Sequence, residues 1–200
     1  MKKLGILLSG RGSNFEAIAR NVQAGKIPAE IGVVISNKEE AAGLATARQM
    51  GLKAICIPSK GKEREAFERE LVAALREREV DLVCLAGFMR VLTPYFIREF
   101  RGRILNIHPA LLPSFPGVEV QKQALDYGVK WTGCTVHFVD EGVDTGPIVC
   151  QAAVPVLDDD TPEALAARIL KEEHRIYTEA VCLIVEDKIR IEGRRVLLKK

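Results

Sequence analysis

Asn106 and His108 stand at alternate positions near the end of the apolar run Ile104-Leu-Asn-Ile-His108. Alternate side chains of a strand share a face, so the amide and the imidazole point to one side while Leu105 and Ile107 point to the other. Pro109 restricts His108 to extended geometry, which carries the alignment past the strand's end. An amide can donate to a developing oxyanion, and an imidazole can donate or relay a proton, so the pair suits attack on a carbonyl carbon. An asparagine that caps a loop beside a structural histidine would give the same spacing. The turn Asp140-Glu-Gly-Val-Asp-Thr-Gly-Pro147 is acidic, and acidic turns are usually solvated; a carboxylate brought to His108 would favour a protonated imidazole and fix its orientation. Asp140 and Glu141 in the same turn read as solvated acids with no partner. His137 lies inside an alternating run and reads as buried and hydrogen-bonded.

Positioning such groups requires strands with ligand-facing carboxyl ends. Leu4 to Leu8 is a short apolar run closed by Ser9-Gly10, the pattern of a strand buried on both faces of a parallel sheet. Gly10-Arg-Gly-Ser-Asn14 then opens a helix to about Val22, with Ser13 or Asn14 as its cap. Amides at such a helix start suit an anion, although an ordinary strand-to-helix turn has the same composition. Further strands are expected at Ile31 to Ser36, Ala54 to Ile57 and Asp81 to Ala86. Helices are expected at Ala41 to Met50 and Glu63 to Arg78, the second striped by Phe67, Leu71, Ala74 and Leu75. Thr93-Pro94 starts a short helix with Thr93 as cap. After the strand bearing Asn106, the expected elements are a helix from Val120 to Gly128, strands from Thr132 to Val139 and Ile148 to Val156, and a long helix from Thr161 to Val185. A terminal hairpin turns at Glu192-Gly193. This order predicts an α/β fold: a mostly parallel twisted sheet, helices on both faces, and an antiparallel C-terminal extension.

The chain has 200 residues, 48% of them hydrophobic and 28% charged, which fits one domain with a substantial core. A net charge of +2, with the basic residues dispersed, argues against a nucleic-acid surface. The five cysteines form no CxxC pair and no metal spacing, and read as reduced core residues. The apolar run after Met1-Lys-Lys is too short for a signal peptide, and no stretch could span a bilayer. A cytoplasmic protein with no metal, no nucleic acid and no membrane partner is expected.

The ordered motifs His108-Pro-Ala-Leu-Leu-Pro-Ser-Phe-Pro-Gly117, Gln123-Ala-Leu125, Thr132-Gly-Cys-Thr-Val-His-Phe-Val-Asp140 and Asp144-Thr-Gly-Pro-Ile148 resemble those of the 10-formyltetrahydrofolate-dependent formyltransferases. The likeness is greatest to the branch that formylates glycinamide ribonucleotide in purine biosynthesis, and it runs from the first strand to about Tyr177. The resemblance implies a Rossmann-like formyltransferase fold over residues 1–200. Residues 1–100 would form a phosphate- and nucleotide-binding half, 101–185 a folate and catalytic half, and 186–200 the terminal hairpin. It implies catalysis by His108, Asn106 and Asp144, with the substrate's phosphate on Gly12, Ser13 and Asn14 and its ribose on Glu173. It further implies folate contacts from Arg64, from the pterin-lining segment Met89, Arg90, Val91 and Leu92, and from Asn106. The co-substrate would be 10-formyltetrahydrofolate, the acceptor glycinamide ribonucleotide, and the protein a monomer or weak homodimer. Similar proteins also suggest a cis Leu112-Pro113 bond. Methionyl-tRNA formyltransferases and formyltetrahydrofolate deformylases share the Asn, His and Asp pattern. They are expected to carry an RNA-binding or a regulatory domain, for which 200 residues leave no room. A folate- or nucleotide-binding module without catalysis is expected to lack one of the three residues. Two departures stand out: Val118 to Gln121 lacks the histidines often found after Pro-Gly, and Leu170 replaces a glutamine of some members.

Overall fold

Short runs of Val, Ile and Leu alternate with amphipathic stretches through the first hundred residues, and each run becomes a strand covered on both faces. The computed structural model describes residues 1–199; Lys200, the last residue of the expected terminal hairpin, lies outside the described residues. Two compact units divide between Asn106 and Ile107.

The first unit runs β1 (Lys2–Leu8), α1 (Ser13–Gln23), β2 (Ala29–Ser36), α2 (Ala42–Gln49), β3 (Ala54–Cys56), α3 (Arg64–Glu77), β4 (Leu82–Leu85) and α4 (Pro94–Glu99), and enters β5 (Ile104–His108). Its strands are ordered β3-β2-β1-β4-β5, and every pair is parallel. Leu4, Ile6, Leu7 and Leu8 of β1 are fully buried, which is why this strand carries no polar alternation. Helix α1 covers the sheet with Phe15, Ile18 and Ala19, and α3 with Phe67, Leu71 and Leu75, the spacings of three and four that put side chains on one stripe.

Two helix starts differ from the sequence expectation. The N-cap of α1 is Gly12, at φ 74°, with no side-chain cap bond, and Ser13 and Asn14 belong to the first turn. A Cβ on Gly12 would lie 3.3 Å from the Cα of Gly43, so glycine satisfies both the left-handed backbone and the close approach of α2. Thr93 is the N-cap of α4 by position, yet its hydroxyl makes no cap bond; it donates to the Glu68 carboxylate. A buried carboxylate is the stronger acceptor and takes the hydroxyl away from the helix end.

The second unit begins with the last residues of β5 and continues through α5 (Val120–Tyr127), β6 (Trp131–Phe138), β7 (Ile148–Pro155), α6 (Pro162–Val185), β8 (Ile189–Glu192) and β9 (Arg195–Leu198). From β5 the order is β5-β6-β7-β9-β8, with β6 and β7 antiparallel, β9 parallel to β7, and β8 antiparallel to β9. The α/β class with a mostly parallel sheet and antiparallel C-terminal strands is therefore as the sequence indicates. Helix α6 packs on β6 and β7 through Leu165, Ile169, Ile176, Tyr177, Ala180 and Val181. Its start is tied down by Asp160, whose carboxylate takes two bonds from Arg168 at 2.6 and 2.7 Å and one from the Leu157 N–H at 2.8 Å. Exposed pairs such as Arg20 with Glu16 add little by comparison, because solvent competes for both partners.

Arg168, and then the Leu157 N–H, hold the Asp160 carboxyl down at about 2. A depressed carboxyl stabilises the folded chain above its unfolded pKa and ceases to do so as pH falls through about 2. Asp160→Asn is expected to lower Tm by a few degrees at neutral pH, with the difference from the native chain shrinking steadily on acidification towards that pH. Thermal unfolding followed across pH checks this, and a difference independent of pH would contradict it.

Candidate active site

In β5 the side chains alternate as strand geometry requires: Leu105 is fully buried and Ile107 nearly so, while Asn106 keeps partial exposure at the carboxyl end. His108 is 4% exposed, and its ring is fixed on two sides. Nε2 donates to the carbonyl of Phe115 at 2.8 Å, and Nδ1 faces Asp144 Oδ2 at 3.4 Å. A carbonyl can only accept, so Nε2 carries a proton; in the neutral ring Nδ1 would then offer a lone pair to a carboxylate. A second proton, on Nδ1, turns that repulsion into an ion pair.

Asp144 is held from three directions. Its Oδ2 accepts from the Gly117 N–H at 2.9 Å, and its Oδ1 lies 3.6 Å from His137 Nε2. His137 is itself fixed through Nδ1, which donates to the carbonyl of Phe138 at 2.9 Å. Burial would raise the Asp144 carboxyl, but the His137 and Gly117 hydrogen bonds and the charges of His108 and His137 outweigh it and hold it below the usual carboxylate range. The carboxylate is therefore ionised at neutral pH. Both residues that grip His108 have left-handed backbones, Phe115 at φ 52° and Asp144 at φ 54°. Phenylalanine pays for that conformation and aspartate tolerates it better, so the loops around them must be firmly set.

The loops are set by polar side chains of β6 and β7. Thr135 Oγ1 accepts from the Leu112 N–H at 3.1 Å and donates to the Ala110 carbonyl at 2.7 Å. Gln151 Nε2 donates to the Leu112 carbonyl at 2.9 Å. The Leu112-Pro113 bond between these anchors is cis, as the sequence resemblance suggests. In the second loop Asp140 Oδ1 accepts from Thr145 Oγ1 at 2.6 Å and from the Gly142 N–H at 3.1 Å. Asp140 is thus not the partnerless solvated acid expected from composition; it closes the turn that presents Asp144. Arg194, from the terminal hairpin, donates to the Thr145 carbonyl at 3.0 Å.

Other expected site residues fall as follows. Gly12, Ser13 and Asn14 open α1 at the carboxyl end of β1, the kind of helix start that can receive an anion. Phe88 and Leu92 are buried, Met89 and Val91 are exposed at 73% and 62%, and Arg90 lies over the Phe67 ring. The segment after β4 therefore buries an apolar side chain at each end and exposes Met89 and Val91 between them. Arg64 is the exposed first residue of α3, and Glu173 is buried in the middle of α6. Neither Cys134, which is buried, nor Cys150, which is half-buried, supplies a nucleophile: desolvation pushes the Cys134 thiol up to about 12 and the Cys150 thiol up to about 11.

His137, Thr135 and Gln151 were not assigned to the site by sequence reasoning. A usable signal was present, since Thr135 and His137 alternate on one face of β6 just as Asn106 and His108 do on β5. Phe115 and Gly117 act through backbone atoms and leave no such trace.

The sheet and the strand-end Asn-x-His pair, with a half-buried aspartate facing the histidine, define an α/β protein with its polar chemistry at the carboxyl ends of strands. Within that class the chain belongs to the formyl transferase family, whose model matches residues 2–181. It is 51% identical over 187 residues to the trifunctional purine biosynthetic protein adenosine-3 of Drosophila melanogaster, covering 92% of this chain and 14% of that protein. The chain thus spans a small part of that relative's length. It is 41% identical over 187 residues to phosphoribosylglycinamide formyltransferase of Escherichia coli (strain K12), covering 93% of this chain and 88% of that one. The crystal structure of glycinamide ribonucleotide transformylase 1 from Symbiobacterium toebii matches with a TM-score of 0.98 and 51% identity, over 100% of this chain and 95% of that one.

Because the His137 bond is the strongest influence lowering the Asp144 carboxyl, His137→Phe is expected to move its titration upward. Carboxyl-carbon NMR of Asp144 reads this directly. An unmoved midpoint would mean that Gly117 and His108 alone keep the group ionised.

Proposed function

We propose that the chain transfers the formyl group of 10-formyltetrahydrofolate to the amine of glycinamide ribonucleotide, giving formylglycinamide ribonucleotide and tetrahydrofolate in purine biosynthesis. The names of the relatives support this choice of substrates. The observation that carries the chemistry is the His108 ring gripped between a carbonyl and an ionised aspartate, with Asn106 at the preceding same-face position of β5.

Formyl transfer between two nitrogens needs no enzyme nucleophile, because the substrate amine attacks the formyl carbon itself. As the new C–N bond forms, the carbonyl electrons move onto oxygen, and the Asn106 amide donates to that oxyanion. The tetrahedral adduct then collapses: the bond from carbon to the folate nitrogen breaks, that nitrogen takes a proton from His108, and the attacking nitrogen releases one to water, from which His108 is protonated again. In the doubly protonated ring one N–H is held by the Phe115 carbonyl and the other by the Asp144 carboxylate. Asp144 orients the ring until the transfer. In the same reading the amides of Gly12, Ser13 and Asn14 hold the phosphate, Glu173 the ribose, and Arg64 with the main chain of Met89 to Leu92 the folate. The protein would work in the cytoplasm; among the described residues no helix is long and apolar enough to cross a membrane.

A formylation assay offering glycinamide ribonucleotide, initiator methionyl-tRNA and water as acceptors tests the substrate. Product is expected from the ribonucleotide alone; faster transfer to tRNA or to water would overturn the reading. Asn106→Ala and His108→Ala are each expected to lower kcat by about 100-fold or more, with KM for either substrate little changed, as for interactions made in the transition state. Val91 is exposed, so Val91→Asp can be made without burying a charge. It is expected to weaken tetrahydrofolate binding by about tenfold while sparing the ribonucleotide. Equal loss of both ligands would contradict the folate assignment.

A further inference from the structure

The segment after β4 is secured at both ends by side chains that lie outside it. Glu68, on α3, is 1% exposed, and both its carboxylate oxygens are taken by a single residue. Oε1 accepts from the Thr93 N–H at 2.8 Å, and Oε2 accepts from the Thr93 hydroxyl. At the other end, Ser9 Oγ accepts from the Met89 N–H at 2.9 Å and donates to Asn37 Oδ1 at 2.6 Å. Asn37 in turn donates to Ser59 Oγ at 3.1 Å, so the hydroxyl is itself held in place. Arg90 lies between the two ends with its guanidinium carbon 5.6 Å from the centre of the Phe67 ring, next to Glu68 on the same helix.

A buried carboxylate is an expensive way to join a helix to a loop, since an apolar side chain of similar size would pack there without desolvation. What the carboxylate adds is direction: two acceptor atoms fix one residue, Thr93, through its peptide N–H and its hydroxyl. That matters for a segment whose exposed residues, Met89 and Val91, cannot anchor it. A flat heterocycle that is read by backbone N–H and C=O groups is read only as well as those groups are fixed.

We propose that Glu68 is a positioning residue for the folate co-substrate, holding the main chain of residues 89–93 in the conformation that receives the ring, with Ser9 securing the opposite end. This rests on the assignment of Met89 to Leu92 to folate. Glu68 touches neither substrate and has no part in proton transfer.

Calorimetric titration of the full chain with tetrahydrofolate and, separately, glycinamide ribonucleotide tests it. Glu68→Ala is expected to raise the tetrahydrofolate Kd by about tenfold, the usual effect of losing hydrogen bonds to a charged group, and to leave the ribonucleotide Kd within about twofold. The folate KM should rise more than kcat falls. Glu68→Gln is expected to recover most of the affinity, because its oxygen still accepts from the Thr93 N–H and the Thr93 hydroxyl can rotate to accept from its amide. A merely structural role would lower Tm and weaken both ligands together. If Glu68→Ala fails to fold, Thr93→Val removes the hydroxyl bond alone and should still weaken tetrahydrofolate selectively. Unchanged tetrahydrofolate affinity in these variants, or equal weakening of both ligands, overturns the positioning role. Should Val91→Asp also leave tetrahydrofolate binding intact, the folate assignment fails with it; a strong Val91→Asp effect beside silent Glu68 and Thr93 variants overturns the positioning role alone.

Discussion

The constraint on which the site depends is the grip on one imidazole ring: Phe115 carbonyl on Nε2 and Asp144 carboxylate on Nδ1. Two acceptors on one ring demand two ring protons, so this geometry favours a proton donor over a proton acceptor. Both gripping residues sit in the left-handed region, which side chains other than glycine adopt at a cost. The surrounding bonds explain how that cost is met. Thr135 and Gln151 tie down the first loop, Asp140 closes the second, and Gly117 joins them by donating to Asp144. Remove that scaffold and the ring keeps its strand but loses its orientation.

The sheet contributes something simpler. A strand places alternate side chains on one face at fixed spacing, so β5 sets Asn106 beside His108 without any loop having to do so. β6 repeats the device with Thr135 and His137. Parallel order in β3-β2-β1-β4-β5 brings strand carboxyl ends to one edge, where α1 and the segment after β4 begin.

Much of this was legible in the sequence, and the reasons differ by element. The strands were evident because burial on both faces leaves continuous apolar runs, as in Leu4 to Leu8. Helix α3 was evident from Phe67, Leu71 and Leu75, and α6 from Thr161-Pro-Glu, where Thr161 does accept from the Ala164 N–H at 3.2 Å. Caps were less legible. Composition identifies residues able to cap, but Thr93 has a stronger acceptor in Glu68, a residue distant in sequence. Asn106 and His108 could be singled out because their side chains carry the chemistry at same-face spacing, and Asp144, among several acids of one turn, only because the motif around it resembles the family's. The Phe115 carbonyl and the Gly117 amide could not, since every residue has one of each. Asp140 was misread for a related reason: an acidic turn looks solvated until its fold brings Thr145 to it.

The account stands on Asp144 acting through His108 and not merely shaping a loop. A double-mutant cycle tests this most directly, using kcat for His108→Ala, Asp144→Asn and the two combined. Residues that act as one unit lose activity non-additively, so the double variant is expected to be little worse than His108→Ala alone. Losses that simply add in the double variant would contradict the account.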